Sequence, residues 1–216
     1  MIKKINATLS EKLILIFLLV LAIFAFSFTV IIKNKCLFVK NLDPQKINFD
    51  KPKNIVVLNV ECGNVIIELY PELSPKAVDR FITLIKSNSY DDVAFHRVIK
   101  DKLIQAGDLE FGKKNKLNYG KIGTGKSGLG TISSEIDAEF DYKKGSVGLA
   151  RNLKYNTEDS QFFIILDDEP LFEGEYTPIG KVIYGIKILE KIKYSRRSEY
   201  VLRPDFINTI RMYRIN

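Results

Sequence analysis

Apolar and polar positions divide the chain into three stretches. Leu13 to Ile32, LILIFLLVLAIFAFSFTVII, runs for 20 residues without a charge. That length crosses a bilayer as a helix, and the run lacks the polar face that a buried core helix keeps. Residues 33–53 turn polar, with Pro44 and Pro52 and little periodicity, and read as a linker. From Asn54 the pattern is one of short strands. NIVVLNVECGNVIIELY holds two apolar runs around Cys62-Gly63-Asn64, a hairpin signal. SPKAVDRFITLIKSNSY predicts a helix with Ser74 as N-cap, Pro75 at the first helical position, and Ala77, Val78, Phe81, Ile82, Leu84 and Ile85 on one apolar face. In FHRVIKDKLIQAGD the alternation predicts a strand, a turn at Lys100–Lys102 and a second strand, which sets Arg97 and Gln105 side by side. GSVGLA, QFFIIL and TPIGKVI read as further strands, GIKILEKI as a second helix and PDFINTIRMYRI as a closing strand. Many short strands and two helices predict a mainly β domain over residues 54–216, a barrel or a sandwich.

The N-terminal run has a rival reading as a cleaved signal peptide, since a short basic tail, here residues 1–12, precedes both kinds of segment. Against cleavage, the run exceeds the usual signal core and ends in Val30-Ile31-Ile32 before Lys33, with no small-x-small site. Lys33, Asn34 and Lys35 before Cys36 also do not suit a lipoprotein cleavage site. The sequence therefore predicts a transmembrane signal anchor over 13–32. Lys3, Lys4 and Lys12 on one side are balanced by Lys33, Lys35 and Lys40 on the other, so charge does not set the orientation. The short tail is expected in the cytoplasm and the barrel on the exported side, in the periplasm or at the cell exterior.

Composition changes this picture little. The formal charge of +7 fits nucleic acid or anionic lipid, but the lysines are spread among acids with no arginine-rich block and no aromatic-basic module, so no nucleic-acid partner is expected. Two cysteines, Cys36 and Cys62, cannot build a disulfide framework, and Cys62 reads as a small residue beside a turn. With a single histidine besides, neither a metal nor a cofactor is expected. Gly120 to Ser127, GKIGTGKS, satisfies the phosphate-loop pattern, but KKNKLNY before it is no buried strand and GLGTISS after it starts no helix. Glu135, Asp137, Glu139 and Asp141 alternate and read as a solvated edge.

The chemistry concentrates at Arg97. Arginine cannot lose its proton in a protein, so a guanidinium among apolar residues must meet an acceptor, in many cases a partner's. The surrounding FHRVIKDKLIQAGD, with GLARNLKYNTEDSQFFII (Gly148 to Ile165) and LFEGEYTPIGKV (Leu171 to Val182) in that order, resembles the cyclophilins. The Gly-rich GTGKSGLGTISSEI is similar to a loop of bacterial-type members. The resemblance spans about Ile55 to Ile215 and implies a closed eight-stranded antiparallel β-barrel capped by two helices. It also implies peptidyl-prolyl cis-trans isomerase activity on proline-containing polypeptide segments, by a monomer without a cofactor. Arg97 matches the catalytic arginine. Gln105 and Tyr176 match contacts beside the proline. Leu103, Phe163 and Phe172 match the proline pocket, Ala150 and Arg151 match the groove for the preceding residues, and Gln161 lies in the motif that carries Phe163. Lys102 stands where the family carries a pocket-closing aromatic, Leu171 where it has tryptophan or phenylalanine, and Phe172 where it more often has leucine. These departures leave room for a second reading, a proline-peptide binding module with weak or no turnover.

Overall fold

The computed structural model describes residues 8–214, in two units that divide between Phe38 and Val39. Lys3 and Lys4 of the basic tail, and Ile215 at the end of the expected closing strand, lie outside the described residues.

The first unit is dominated by helix α1, Leu9–Lys33. It starts ahead of the apolar run because Thr8 and Glu11 form a capping box, with Thr8 N–H donating to the Glu11 carboxylate at 2.7 Å. The helix from Leu9 to Ile31 is long and apolar enough to cross a membrane, and none of it is buried within the protein.

The second unit holds eight antiparallel strands: β1 (Ile55–Val60), β2 (Gly63–Leu69), β3 (Arg97–Ile99), β4 (Leu103–Ala106), β5 (Ser146–Leu149), β6 (Phe162–Ile165), β7 (Thr177–Tyr184) and β8 (Thr209–Met212). Two helices accompany them, α2 (Pro75–Lys86) and the single turn α3 (Ile186–Leu189). The strands pair in the order β3-β4-β6-β5-β7-β2-β1-β8 and curl into a half-barrel. Two register shifts, at Ile66/Ile67 and Val147/Gly148, each leave one extra residue in β7 and bend the sheet there. The second admits Pro178, which has no N–H to give a ladder.

The expected closed barrel needs a correction. No regular ladder joins β3 to β8, because Val201 to Ile207 is too irregular to count as a strand. Residues 199–207 still bond along β3 and the residues just before it: Val98 N–H reaches Glu199 O at 2.8 Å, and Val201 N–H, Phe95 N–H and Ile207 N–H reach His96 O, Asp205 O and Val93 O, each at 2.9 Å. Buried edge amides are thereby paired without a ninth strand.

Several local readings also shift. The first hairpin turns at Glu61-Cys62, with Val60 opposite Gly63, and Asn41 Oδ1 accepts from Asn64 N–H at 2.9 Å beside it. Cys62 is more than a turn residue, since neither cysteine is a free thiol. From Val39 on, the stretch read as linker packs on the barrel, with Gln45 donating to Arg214 O at 3.2 Å and Phe49 edge-on to Tyr213. Ser74 precedes α2 as expected, but its hydroxyl donates to Pro178 O. The first-turn amides of Lys76 and Ala77 instead donate to the Glu135 carboxylate at 3.2 and 2.9 Å. Glu135 is therefore a helix cap from a distant loop and no part of a solvated edge.

The core alternates across β6. Phe162 packs against Phe81 of α2 and Tyr90, with ring centres 5.2 and 5.5 Å away. Its neighbour Phe163 points to the opposite face, as the period of a strand requires, and meets Tyr142, Phe172 and Tyr176.

Candidate active site

One row of residues across the sheet builds the site. Arg97 of β3 faces Gln105 of β4, Gln105 faces Phe163 of β6, and Phe163 faces Gly148 of β5. Directly opposed residues project from the same face, so the guanidinium, the amide and the phenyl ring lie in sequence along it. The β3–β4 turn runs over Lys100–Lys102 as the alternation predicts, with Asp101 in the left-handed region at φ 59°. Gly148 carries no side chain at the end of the row, and a Cβ there would lie 2.5 Å from Phe163 Cζ and 2.9 Å from the Tyr142 hydroxyl. Gly148→Ala is expected to push the Phe163 ring aside and to cost about 1–3 kcal/mol through overpacking, read as a fall in denaturation midpoint.

A chain of hydrogen bonds orients the polar half. Arg97 Nη1 donates to Gln105 Oε1 at 3.2 Å, and Gln105 Nε2 donates to Gln161 Oε1 at 3.0 Å. Gln161 Nε2 in turn donates to Gly123 O and Gly125 O, both at 3.0 Å. On its other edge Arg97 Nε donates to Glu199 Oε2 at 2.8 Å. The glycine segment is itself held from inside: the buried Asp108 carboxylate accepts from the amides of Gly123 and Gly125 at 2.7 and 3.0 Å and from Phe111 N–H at 2.7 Å. Those amides face a carboxylate of the protein, and a bend at Gly128-Leu129 follows where a phosphate loop would open a helix. Their task is to anchor the loop that carries the Gln161 acceptors.

The apolar half gathers Leu103, Tyr142 and Phe163, with Ala150, Phe172 and Tyr176 packed on them. Phe172 stands edge-on to Phe163 at 5.2 Å and 4.6 Å from Tyr176, so it is built into the cluster. A cleft lined by Gln105, Gly125, Ala150, Arg151, Asp159 and Gln161 continues past Gln105. Arg151 is a wall of that cleft. Its guanidinium stacks on Tyr155 and Tyr176, at 4.3 and 5.0 Å, and donates to Glu175, Asn152 and Leu153.

Two of the sequence-predicted residues stand apart. Lys102 is 60% exposed and reaches Glu169 Oε2 at 3.3 Å, so its charge sits at the rim in water. Leu171 is 82% exposed and does not join the cluster. Sequence reasoning gave no role to Asp108, although it closes the FHRVIKDKLIQAGD motif, and missed Glu199, Glu169 and Tyr142, none of which carries a local signal tying it to Arg97 or Phe163. His96, beside Arg97, is buried, and burial pulls its imidazole down to about 4 against the opposing pull of the Asp108 carboxylate.

The family model for cyclophilin type peptidyl-prolyl cis-trans isomerases matches residues 55–214. The chain belongs to the cyclophilins. A probable peptidyl-prolyl cis-trans isomerase of Brucella suis is 40% identical over 159 residues, 72% of this chain and 81% of that protein. A peptidyl-prolyl cis-trans isomerase of Schizosaccharomyces pombe is 36% identical over 63% of this chain and 83% of its own length. Among solved structures, a cyclophilin-type isomerase of Cryptosporidium parvum, crystallised in the presence of the dipeptide Ala-Pro, is 29% identical at a TM-score of 0.64 and covers 74% of this chain and 99% of its own. The matched region holds the whole Arg97 row, whereas α1 lies outside it. This cyclophilin thus carries a peptidyl-prolyl isomerase domain behind a separate apolar helix.

Proposed function

We propose that this cyclophilin speeds cis-trans exchange at X-Pro bonds of polypeptide segments, with Arg97 as its catalytic residue. The observation that carries the reading is the guanidinium held by Gln105 in one row with Phe163. Resonance sets a barrier of about 18–20 kcal/mol to rotation about the bond. In the twisted state the prolyl nitrogen pyramidalises and its lone pair becomes free to accept. A donor at that nitrogen favours the twisted state over both planar states, and no nucleophile, metal or cofactor is needed. Leu103, Phe163 and Phe172 take the proline ring, Gln105 and Tyr176 hold the flanking backbone, and Ala150, Arg151 and Gln161 line the path of the preceding residues. Residues 13–32 tether the domain to a membrane, with the barrel on the exported side, where it serves exported or membrane proteins during folding.

The test is exchange spectroscopy of an Ala-Pro or Leu-Pro peptide with catalytic amounts of the chain in detergent micelles. Uncatalysed exchange takes about tens to hundreds of seconds. Acceleration supports the reading, and a folded chain that leaves the rate untouched overturns it. For the tether, alkaline extraction should leave the chain in the membrane pellet; its release would point to a cleaved leader.

The rim lysine favours the second reading, a module that binds proline segments with little turnover. Lys102 replaces an apolar lid over the proline ring by a solvated charge paired with Glu169. Lys102→Phe is expected to raise kcat/KM severalfold, by about the transfer energy of a partly buried ring edge. An unchanged or lower value would remove Lys102 from any pocket role.

A further inference from the structure

Glu199 reaches Arg97 from 102 positions along the chain. Backbone pairing fixes it there, since Val98 N–H donates to Glu199 O at 2.8 Å and Arg97 bridges Tyr200 antiparallel. Its carboxylate accepts from Arg97 Nε at 2.8 Å, while Gln105 accepts from Nη1 at 3.2 Å. Both edges of a planar fork are thus pinned, which fixes its plane. Among the described residues, Nη2 of Arg97 has no hydrogen-bond acceptor in the protein and is left for an incoming one.

We infer that Glu199 is a positioning residue that holds the Arg97 guanidinium in the orientation from which Nη2 meets the prolyl nitrogen. The inference rests on the isomerase reading above. A free arginine side chain samples many rotamers, and only those with the donor at the nitrogen lower the barrier, so preorganisation appears in kcat. The carboxylate also opposes part of the cation's field, so two contributions of opposite sign meet in this residue. A glutamine keeps an acceptor for Nε and removes the opposing charge, which separates them. Glu199 is 52% exposed, and a pair this wet contributes little to folding, so its removal leaves the barrel intact.

The experiment compares the full chain in detergent micelles with Glu199→Ala, Glu199→Gln and the Arg97→Ala/Glu199→Ala pair. Glu199→Ala is expected to lower kcat about tenfold with KM changed by less than about twofold. Glu199→Gln should restore most of that loss. In the Arg97→Ala background the Glu199 substitution should change nothing, since its effect passes through the guanidinium. The Arg97 Nε–H resonance, slowed in exchange with water in the parent, should lose that protection in Glu199→Ala, a readout that needs no turnover. An active parent with unchanged kcat in Glu199→Ala overturns the assignment alone, as does a loss that persists without Arg97 or an equal loss in Glu199→Gln. A parent inert on proline peptides, with its Nε–H still protected, overturns the isomerase reading and with it the catalytic role of Glu199.

Discussion

Arg97→Ala is expected to lower kcat/KM on a short proline peptide by about 10²–10³-fold, or about 3–4 kcal/mol of transition-state stabilisation. In the proposed mechanism the donor acts on a lone pair that is free only in the twisted state, so the loss should fall on kcat with KM nearly unchanged. The row from Gln105 to Phe163 and the apolar cluster around Phe163 survive the substitution, so the proposed seat of the proline ring is kept. Arg97 is 29% exposed and its partner Glu199 half exposed, so the stability lost with their pair is at most about 1 kcal/mol. An unchanged denaturation midpoint beside a collapsed rate would separate chemistry from folding. Arg97→Lys restores a charge without the Nε donor or the fork, and should recover only a small part of the rate. A variant that keeps most of its activity would exclude Arg97 as the source of rate enhancement.

Acid should destabilise the barrel in a window set by His96. Its imidazole titrates near 6.5 in an unfolded chain and at about 4 in the fold, because burial disfavours the charged ring. Between these values the unfolded chain takes up a proton that the folded chain does not. The contribution is therefore complete above pH 6.5, falls as the pH drops, and is spent below about 4. The shift corresponds to about 3 kcal/mol. Asp91 is held below its ordinary carboxylate range by the hydrogen-bonded Arg211, so its share is lost only at still lower pH. The chain has no tryptophan and 10 tyrosines, so tyrosine fluorescence can follow denaturant unfolding at a series of pH values. His96→Asn, whatever its baseline stability, should flatten the slope between pH 6.5 and 4. A slope that persists would assign the acid sensitivity to carboxylates.

Much of the Arg97 row was legible in the sequence because it depends on local rules. Alternation fixes which residues of FHRVI and LIQ share a face, and a three-residue turn fixes their register, so Arg97 beside Gln105 follows from a dozen residues. The order of three motifs then indicated Phe163, Leu103 and Tyr176 by resemblance, and the fold brings them to one cluster. Lys102 shows where that reasoning stops: its position matched a pocket lid, but the direction of its side chain was decided by Glu169, which no local pattern connects to it.

By itself, then, the sequence determined the apolar helix at the N-terminus, the strand-rich domain after it, and the pairing of Arg97 with Gln105, because periodicity and short turns act between neighbours. Tertiary structure decided which acids serve the site and the scaffold. Glu199 on Arg97, Asp108 under the glycine loop and Glu135 on the first turn of α2 are each one choice among the chain's 26 acids. Any of those acids satisfies a donor equally well by chemistry. Only the path of the chain, with the irregular segment before β8 bonded along the open edge of β3, brings the right one within reach.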